Sequence, residues 1–142
     1  MTRPGHSIFV IEDDPMMRDA LNSLLDARGY APRFAPTAEL ALLDARCETA
    51  ECLIVDIALP GMSGLALVAQ VATRDPSFAR RVIFITARDS LEVQAAAQSL
   101  GARAVLRKPF PGSVLAELIE QIVATSAAAA AATSTRLARA GG

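Results

Sequence analysis

The sequence predicts an α/β fold with a five-stranded parallel sheet, doubly wound, with helices on both faces. Short runs of β-branched and other apolar residues recur along the chain, as in buried parallel strands, and segments with helical spacing separate them. Four runs end directly on polar residues. They are residues 8–11 before Glu12 and Asp13, 53–55 before Asp56, 82–85 before Thr86, and 104–106 before Arg107 and Lys108. Because open α/β sheets bind ligands at the carboxyl ends of their strands, we expect one polar site there.

The first helix is predicted directly after the first strand. Asp14 is a good N-cap, and Pro15 suits the first helical position because an N–H is not needed there. Apolar residues follow at helical spacing as far as Gly29, which we expect to end the helix. Residues 31–35 are a weak candidate for the second strand, since Arg33 interrupts their apolar character.

The second helix is predicted to begin after its cap, Thr37, and to run to about Arg46. The third strand ends at Asp56, and the proline and glycines of residues 59–64 then supply a turn. We expect a loop of the polar site at this turn, followed by a helix over residues 65–71.

The second half continues the alternation of strands and helices. Residues 75–76 break the chain before a strand over residues 82–86, and a helix over residues 90–100 is closed by Gly101. After the last strand, apolar residues between 112 and 125 recur at the spacing of an amphipathic helix.

The composition is that of one packed domain. The chain has 142 residues, of which 52% are hydrophobic, and its formal net charge is −1. This balance gives no electrostatic footprint for nucleic acid or an anionic membrane, so we expect this chain to bind neither directly. Cys47 and Cys52 fit reduced cytosolic thiols, and no secretory or membrane-spanning stretch is apparent, so we expect a cytoplasmic protein.

The polar residues at the strand ends suggest phosphoryl chemistry supported by a metal ion. Carboxylates from neighbouring strand ends repel one another unless a cation lies between them, and oxygen ligands favour Mg²⁺ or Mn²⁺. An aspartate can accept a phosphoryl group as an acyl phosphate. Positioned cations and hydrogen-bond donors stabilise that transfer, and Lys108 and Thr86 would supply them. Asp14 is better explained as a helix cap than as a metal ligand, because Pro15 follows it.

Together these motifs closely resemble the receiver domain of two-component response regulators. The acid pair, Asp56 with its Pro- and Gly-containing turn, Thr86-Ala87, and Lys108-Pro109 occur in order. The sequence around Asp56 and Thr86 is most similar to that of regulators of the nitrogen-fixation type. The resemblance implies a flavodoxin-like sheet with a receiver domain over residues 7–124. The alanine-rich residues 125–142 are then expected to be a frayed or disordered tail or linker.

The resemblance implies a role for each site residue. Asp56 would be the phosphoacceptor, Lys108 would contact the phosphoryl group, and Thr86 would move inward to hydrogen-bond it. The metal, Mg²⁺ or Mn²⁺, would have Asp13 and Asp56 as ligands and Glu12 as a ligand through water. The backbone carbonyl of Ala58 would complete this set.

The same resemblance implies partners. A sensor histidine kinase or a histidine phosphotransfer protein would supply the phosphoryl group. The modified state would be read by an unknown downstream protein, or by a second copy in a homodimer. The reading surface would be the face formed by the fourth helix, fifth strand and fifth helix. We expect self-phosphorylation and slow autodephosphorylation, and no enzyme activity on a separate substrate.

Two positions depart from the pattern of the family. Val105 stands three residues before Lys108, where many receivers have a rotating Tyr or Phe, which leaves aromatic switching without its usual residue. Ala58 and Arg88 stand at the positions that flank the path of an attacking water in the family, and Ala58 has no side-chain amide or carboxylate to orient that water. We therefore expect the phosphoryl group to last for minutes or longer.

Other functions fit parts of the pattern. A phosphatase of the haloacid dehalogenase type also uses Asp, Thr, Lys and Mg²⁺, but it normally has a second acid at the position of Ala58. Because Val105 replaces the usual aromatic residue, the chain could also be a phosphorylation-independent interaction module. The chain could also be a stand-alone receiver, a phosphorelay component, or the receiver part of a transcription regulator cut before its helix-turn-helix domain.

Overall fold

A computed structural model describes the backbone of residues 6–140 and the side chains of residues 6–126. It contains one parallel five-stranded sheet with the strand order β2-β1-β3-β4-β5. The strands are β1 Ile8–Ile11, β2 Arg33–Ala35, β3 Cys52–Asp56, β4 Val82–Thr86 and β5 Ala104–Arg107. The predicted fold class is therefore confirmed.

Helices connect consecutive strands and cover both faces of the sheet. They are α1 Pro15–Ala27, α2 Ala38–Leu42, α3 Ala45–Thr49, α4 Gly64–Ala72, α5 Leu91–Leu100 and α6 Gly112–Ala140, with a 3-10 turn at Ala79–Arg81. Within the described part of the chain, no helix is both long and apolar enough to cross a membrane.

Side-chain caps define where several helices begin. Asp14 accepts a hydrogen bond from the Met16 backbone N–H at 3.0 Å, as its predicted role requires. Ser63 and Ser90 cap α4 and α5 in the same way. Gly101 ends α5 with a φ of 85°, a left-handed conformation that glycine adopts without steric cost.

The second predicted helix is interrupted. It ends at Leu42, and α3 begins after Asp44, so the prediction of one helix to about Arg46 is wrong. Asp44 accepts a hydrogen bond from the Arg46 backbone N–H at 2.9 Å and also binds the Arg46 guanidinium. Because aspartate side chains compete with the backbone in this way, Asp44 starts a new helix. The fourth and fifth helices expected for the reading surface are consequently α5 and α6.

The last helix is longer than the spacing of apolar residues predicts. Its bounds are Gly112–Ala140, whereas the amphipathic pattern ends near residue 125. The domain boundary at residue 124 and a separate tail over residues 125–142 stay predictions. Side chains beyond residue 126 and residues 141–142 lie outside the described part.

The core has two layers because successive strand residues point to opposite faces of the sheet. Phe9, Leu53 and Phe84 pack on the side of α2, α4 and α5. Val10 and Ile54, each one residue further along, pack on the side of α1 and α6. Both faces of the central strands are therefore covered, which explains why these strands are continuous apolar runs.

Candidate functional site

The carboxyl edge of the sheet brings together the predicted polar residues. Asp56 and Thr86 are the last residues of β3 and β4, and Glu12 follows β1 directly. The Glu12 backbone N–H donates to the Ala35 carbonyl at 3.1 Å, and the Lys108 N–H donates to the Thr86 carbonyl at 2.8 Å. Backbone pairing thus continues one residue beyond the strands and holds these residues at the edge.

Lys108 bridges two buried carboxylates at this edge. Its Nζ lies 2.8 Å from Glu12 Oε1 and 3.0 Å from Asp56 Oδ2. Glu12 is 0% exposed and Asp56 is 5% exposed. Burial by itself lowers the pKa of Lys108, but its hydrogen bonds to Glu12 and Asp56 outweigh burial and raise that pKa overall. Lys108 is therefore a fixed cation between the two acids.

The pKa of Glu12 is strongly raised despite this cation. Burial is the main cause that raises the pKa of Glu12 from 4.5 to about 8, and the neighbouring Asp56 raises it further. The second oxygen of Glu12, Oε2, is buried and has no hydrogen-bond partner among the described residues. Such an oxygen is costly unless a proton or a cation satisfies it.

The acid cluster fits a divalent cation. Glu12, Asp13 and Asp56 place one carboxylate oxygen each within 4.8 Å of one another, and Asp13 is exposed to solvent. The unpartnered Glu12 Oε2 adds an acceptor that the protein itself does not satisfy. Mg²⁺ is usually held by one or two carboxylates and keeps part of its hydration shell, which the exposed position of Asp13 allows.

The free energy of unfolding should reflect the proton on Glu12. The pKa of Glu12 is about 8 in the folded chain, above its ordinary value of 4.5. The folded state then binds more protons than the unfolded state, so unfolding free energy should fall as pH rises from about 4.5 to about 8, by at most about 1.4 kcal/mol per pH unit. Urea unfolding without divalent metal, compared between the parent and Glu12→Gln, measures this slope. A Glu12→Gln variant with an equally steep fall would contradict this assignment.

Thr86 lies at the edge but faces its own loop. Its hydroxyl accepts a hydrogen bond from the Arg88 N–H at 3.0 Å and donates to the Arg88 carbonyl at 3.1 Å. Thr86 is 2% exposed. Sequence reasoning placed this residue at the correct strand end, whereas the direction of its hydroxyl depends on the loop conformation.

The loop after Asp56 is anchored close to the carboxylate. The Ala58 N–H donates to Asp56 Oδ1 at 3.0 Å, and the Gly64 N–H donates to the Ile57 carbonyl at 3.0 Å. A Cβ atom on Gly64 would lie 2.2 Å from the Asp56 carbonyl oxygen. The loop can therefore return to the strand end only where α4 begins with glycine.

Two residues near the site were missed by sequence reasoning. Arg18 of α1 donates to the Glu12 carbonyl at 3.3 Å, and Glu39 of α2 accepts from the Met62 N–H at 3.3 Å. Acids are common in the first turn of any helix, and a single arginine in a helix gives no signal of its own. Their contacts arise from packing between separate elements of the fold, so the pattern of residues along the sequence does not reveal them.

Val105 occupies the centre of β5. It pairs in register with Phe84 of β4 and packs, partly buried, against the core on the side of α5. A β-branched side chain is restricted at χ1 and has no ring that could rotate between an inward and an outward position.

Comparisons with known proteins agree with this geometry. The family described as response regulator receiver domain matches residues 8–120. The transcriptional regulatory protein FixJ of Bradyrhizobium diazoefficiens is 34% identical over 124 residues, which cover 87% of this chain and 58% of FixJ. The chain thus spans less than two thirds of that relative.

Solved structures give the same result for the fold. The response regulator StyR has a TM-score of 0.78 and 32% identity, with 92% of this chain and 65% of StyR covered. A CheY-like receiver domain protein from Methanospirillum hungatei has a TM-score of 0.72 and 29% identity, with 82% of this chain and 91% of that protein covered.

Proposed function

The chain belongs to the response regulator receiver domain family, and from this membership we propose that it is a phosphorylation-dependent signalling switch. Asp56 would accept a phosphoryl group from a sensor histidine kinase or a histidine phosphotransfer protein. The modified domain would change its binding to a downstream protein or to a second copy of itself. Receiver domains of regulators are generally not enzymes with a separate substrate, and self-phosphorylation with slow self-dephosphorylation is the activity we propose.

The observation that carries this proposal is the bridge made by Lys108. Its ammonium group lies 3.0 Å from Asp56 Oδ2, and it also binds Glu12. A phosphoryl group attached to Asp56 would carry its negative charge beside this cation. Charge-assisted hydrogen bonds of this kind are about twice as strong as neutral ones, so Lys108 would stabilise the transferred group where it forms.

The transfer itself needs an unprotonated Asp56 oxygen in line with the donor phosphorus. We propose that this oxygen forms the new O–P bond while the P–N bond of a phosphohistidine breaks and the imidazole leaves with the bonding electrons. The Ala58 N–H, which donates to Asp56 Oδ1 at 3.0 Å, would hold the carboxylate during this exchange. Glu12, Asp13, Asp56 and the Ala58 carbonyl would hold Mg²⁺, with Mn²⁺ as a substitute. When bound, this ion neutralises charge on the phosphoryl oxygens.

Thr86 would convert the new group into a conformational change. Its hydroxyl must first leave two hydrogen bonds to the Arg88 backbone, each worth about 0.5–1.5 kcal/mol in net stability. A bond to a charged phosphate oxygen, worth about 1.5–3 kcal/mol, is of the right size to offset that loss. We propose that the shift reaches the face of α5, β5 and α6 through Thr86 and Val105, where a partner would read it.

A second candidate is favoured by the relatives. FixJ is described as a transcriptional regulatory protein, and the chain covers 58% of it. The sequence here would then be the receiver part of a longer DNA-binding regulator, and dimerisation through the α5, β5 and α6 face would be its output. Sequencing the source reading frame beyond residue 142 separates this candidate from a stand-alone receiver or a phosphorelay component.

The mass of the intact protein tests the proposed function. After incubation with Mg²⁺ and acetyl phosphate or phosphoramidate, the parent should gain the mass of one phosphate, and Asp56→Asn should gain none. Asp14→Asn is the matched control, because asparagine also caps helices and this acid should not take part. After removal of the donor, the added mass should persist for minutes or longer, since Ala58 cannot orient a water molecule. No gain from small donors or from histidine-phosphorylated protein would reject the proposal.

A further inference from the structure

The loop that follows Asp56 is contacted by a side chain of helix α2. Glu39, an exposed residue in the first turn of α2, accepts a hydrogen bond from the Met62 N–H through Oε1 at 3.3 Å. Its other oxygen, Oε2, lies 2.4 Å from the place where a Cβ atom on Gly61 would be. The carboxylate therefore sits directly against the backbone of residues 61 and 62.

Gly61 makes this close approach possible in two ways. It has no Cβ atom to collide with the carboxylate, and its φ of 76° lies in the left-handed region that glycine adopts freely. The loop thus turns at Gly61 and presents its next N–H group to Glu39. The hydrogen bond is 3.3 Å long, which is longer than the about 2.7–2.9 Å of charge-assisted hydrogen bonds, so the position of the acceptor matters more than its charge.

The contact matters for the site because the loop that Glu39 holds also contacts Asp56. At its start, the Ala58 N–H binds Asp56 Oδ1, and at its end Gly64 binds the Ile57 carbonyl. Glu39 fastens the middle of the loop, between these two points. A loop fixed at three points has fewer accessible conformations, so it loses less conformational entropy when a ligand binds to its backbone.

We propose that Glu39 is a positioning residue that orders the loop over residues 57–63 so that its backbone is ready for the metal ion. The inference rests on the proposed function, in which the Ala58 carbonyl is a metal ligand. Glu39 acts because its side chain is long enough to accept the hydrogen bond from the Met62 N–H. Its negative charge contributes less. It touches the loop and makes no contact with Asp56, so it affects metal binding before it affects phosphoryl transfer.

Four variants separate reach from charge. Glu39→Ala removes both, Glu39→Asp keeps the charge but is one methylene too short, and Glu39→Gln keeps the reach without the charge. Glu92→Ala is the matched control, because Glu92 is also an exposed acid in the first turn of a helix. It removes the same favourable charge at a helix N-terminus without touching the loop.

The measurement is the rate of acetyl phosphate labelling as a function of Mg²⁺ concentration, followed by intact mass. Loss of one hydrogen bond should raise the Mg²⁺ concentration for half-maximal rate about threefold to tenfold in Glu39→Ala and Glu39→Asp. Glu39→Gln and Glu92→Ala should stay within about twofold of the parent. The rate at saturating Mg²⁺ should change little in any variant. Thermal unfolding of all four variants reports their stability separately.

The outcomes distinguish this inference from the proposed function. A parent that takes up no phosphate rejects the proposed function itself. If the parent is labelled and Glu39→Ala keeps the Mg²⁺ dependence of the parent, the role of Glu39 is rejected and the function stands. Equal weakening in Glu39→Gln and Glu39→Ala would show that charge acts at a distance, which also overturns the positioning role.

Discussion

Lys108→Ala is expected to lower the free energy of unfolding at about pH 8 by roughly 2–4 kcal/mol. The substitution leaves the buried carboxylates of Glu12 and Asp56 facing each other without the cation that now lies 2.8 Å and 3.0 Å from them. This loss of stability is near the low end of the range for a broken buried ion pair, because Glu12 can take up a proton. Its pKa is already raised to about 8.

The loss in Lys108→Ala should depend on pH in a defined direction. As pH falls, a proton neutralises Glu12, whose pKa is already raised to about 8, so the destabilisation should be smaller at about pH 6 than at about pH 8.5. Urea unfolding of parent and variant at both pH values measures the difference. Arg107→Ala removes an exposed cation next to Lys108 and is the matched control. A loss equal in both variants, or one that grows as pH falls, would contradict the bridging role.

Gly64→Ala should be destabilising by about 3 kcal/mol or more, which is the upper range for overpacking. The new Cβ atom would lie 2.2 Å from the Asp56 carbonyl oxygen and 2.8 Å from Val55 Cγ1. Neither the backbone oxygen nor the central strand can move without disturbing the site. Helix propensity alone would favour alanine, by at most about 1 kcal/mol at this first helical position, so the direction of the effect identifies the collision as the cause.

Gly101→Ala is the matched control for this substitution. Gly101 has a φ of 85°, but a Cβ atom there would meet nothing within 4 Å. It should lose roughly 1 kcal/mol, from the backbone conformation alone. Chemical denaturation compares the two variants, and Gly64→Ala should also lose Mg²⁺-dependent labelling. If Gly64→Ala were as stable as the parent, the close return of the loop to Asp56 would be wrong.

The features that were predictable from sequence are those with local causes. The strand ends at Asp56 and Thr86 could be predicted because buried parallel strands are unbroken apolar runs, so a polar residue marks where burial stops. The starts of α1 and α2 could be predicted because Asp14 and Thr37 bind the backbone a few residues away.

Other features depend on competition or on contacts between elements. The helical pattern through Arg46 was outweighed by the local hydrogen bonds of Asp44, and no rule of spacing ranks these two signals. The contact of Glu39 with Met62 joins residues 23 positions apart. The hydroxyl of Thr86 could turn to Arg88 or to Asp56 with equal support from the sequence.

The strand that precedes Lys108, β5, lies at the edge of the sheet, so the two sides of the site differ in how firmly they are held. Asp56 belongs to β3, which has a neighbouring strand on each side, whereas β5 has one neighbour, β4. The residues of β5 are partly exposed, and those of β3 are buried. Segments with fewer buried contacts open more readily in hydrogen exchange. In the proposed function, Asp56 would therefore keep its position at the centre of the sheet, and Lys108, next to the edge strand, would make the adjustment when the phosphoryl group forms.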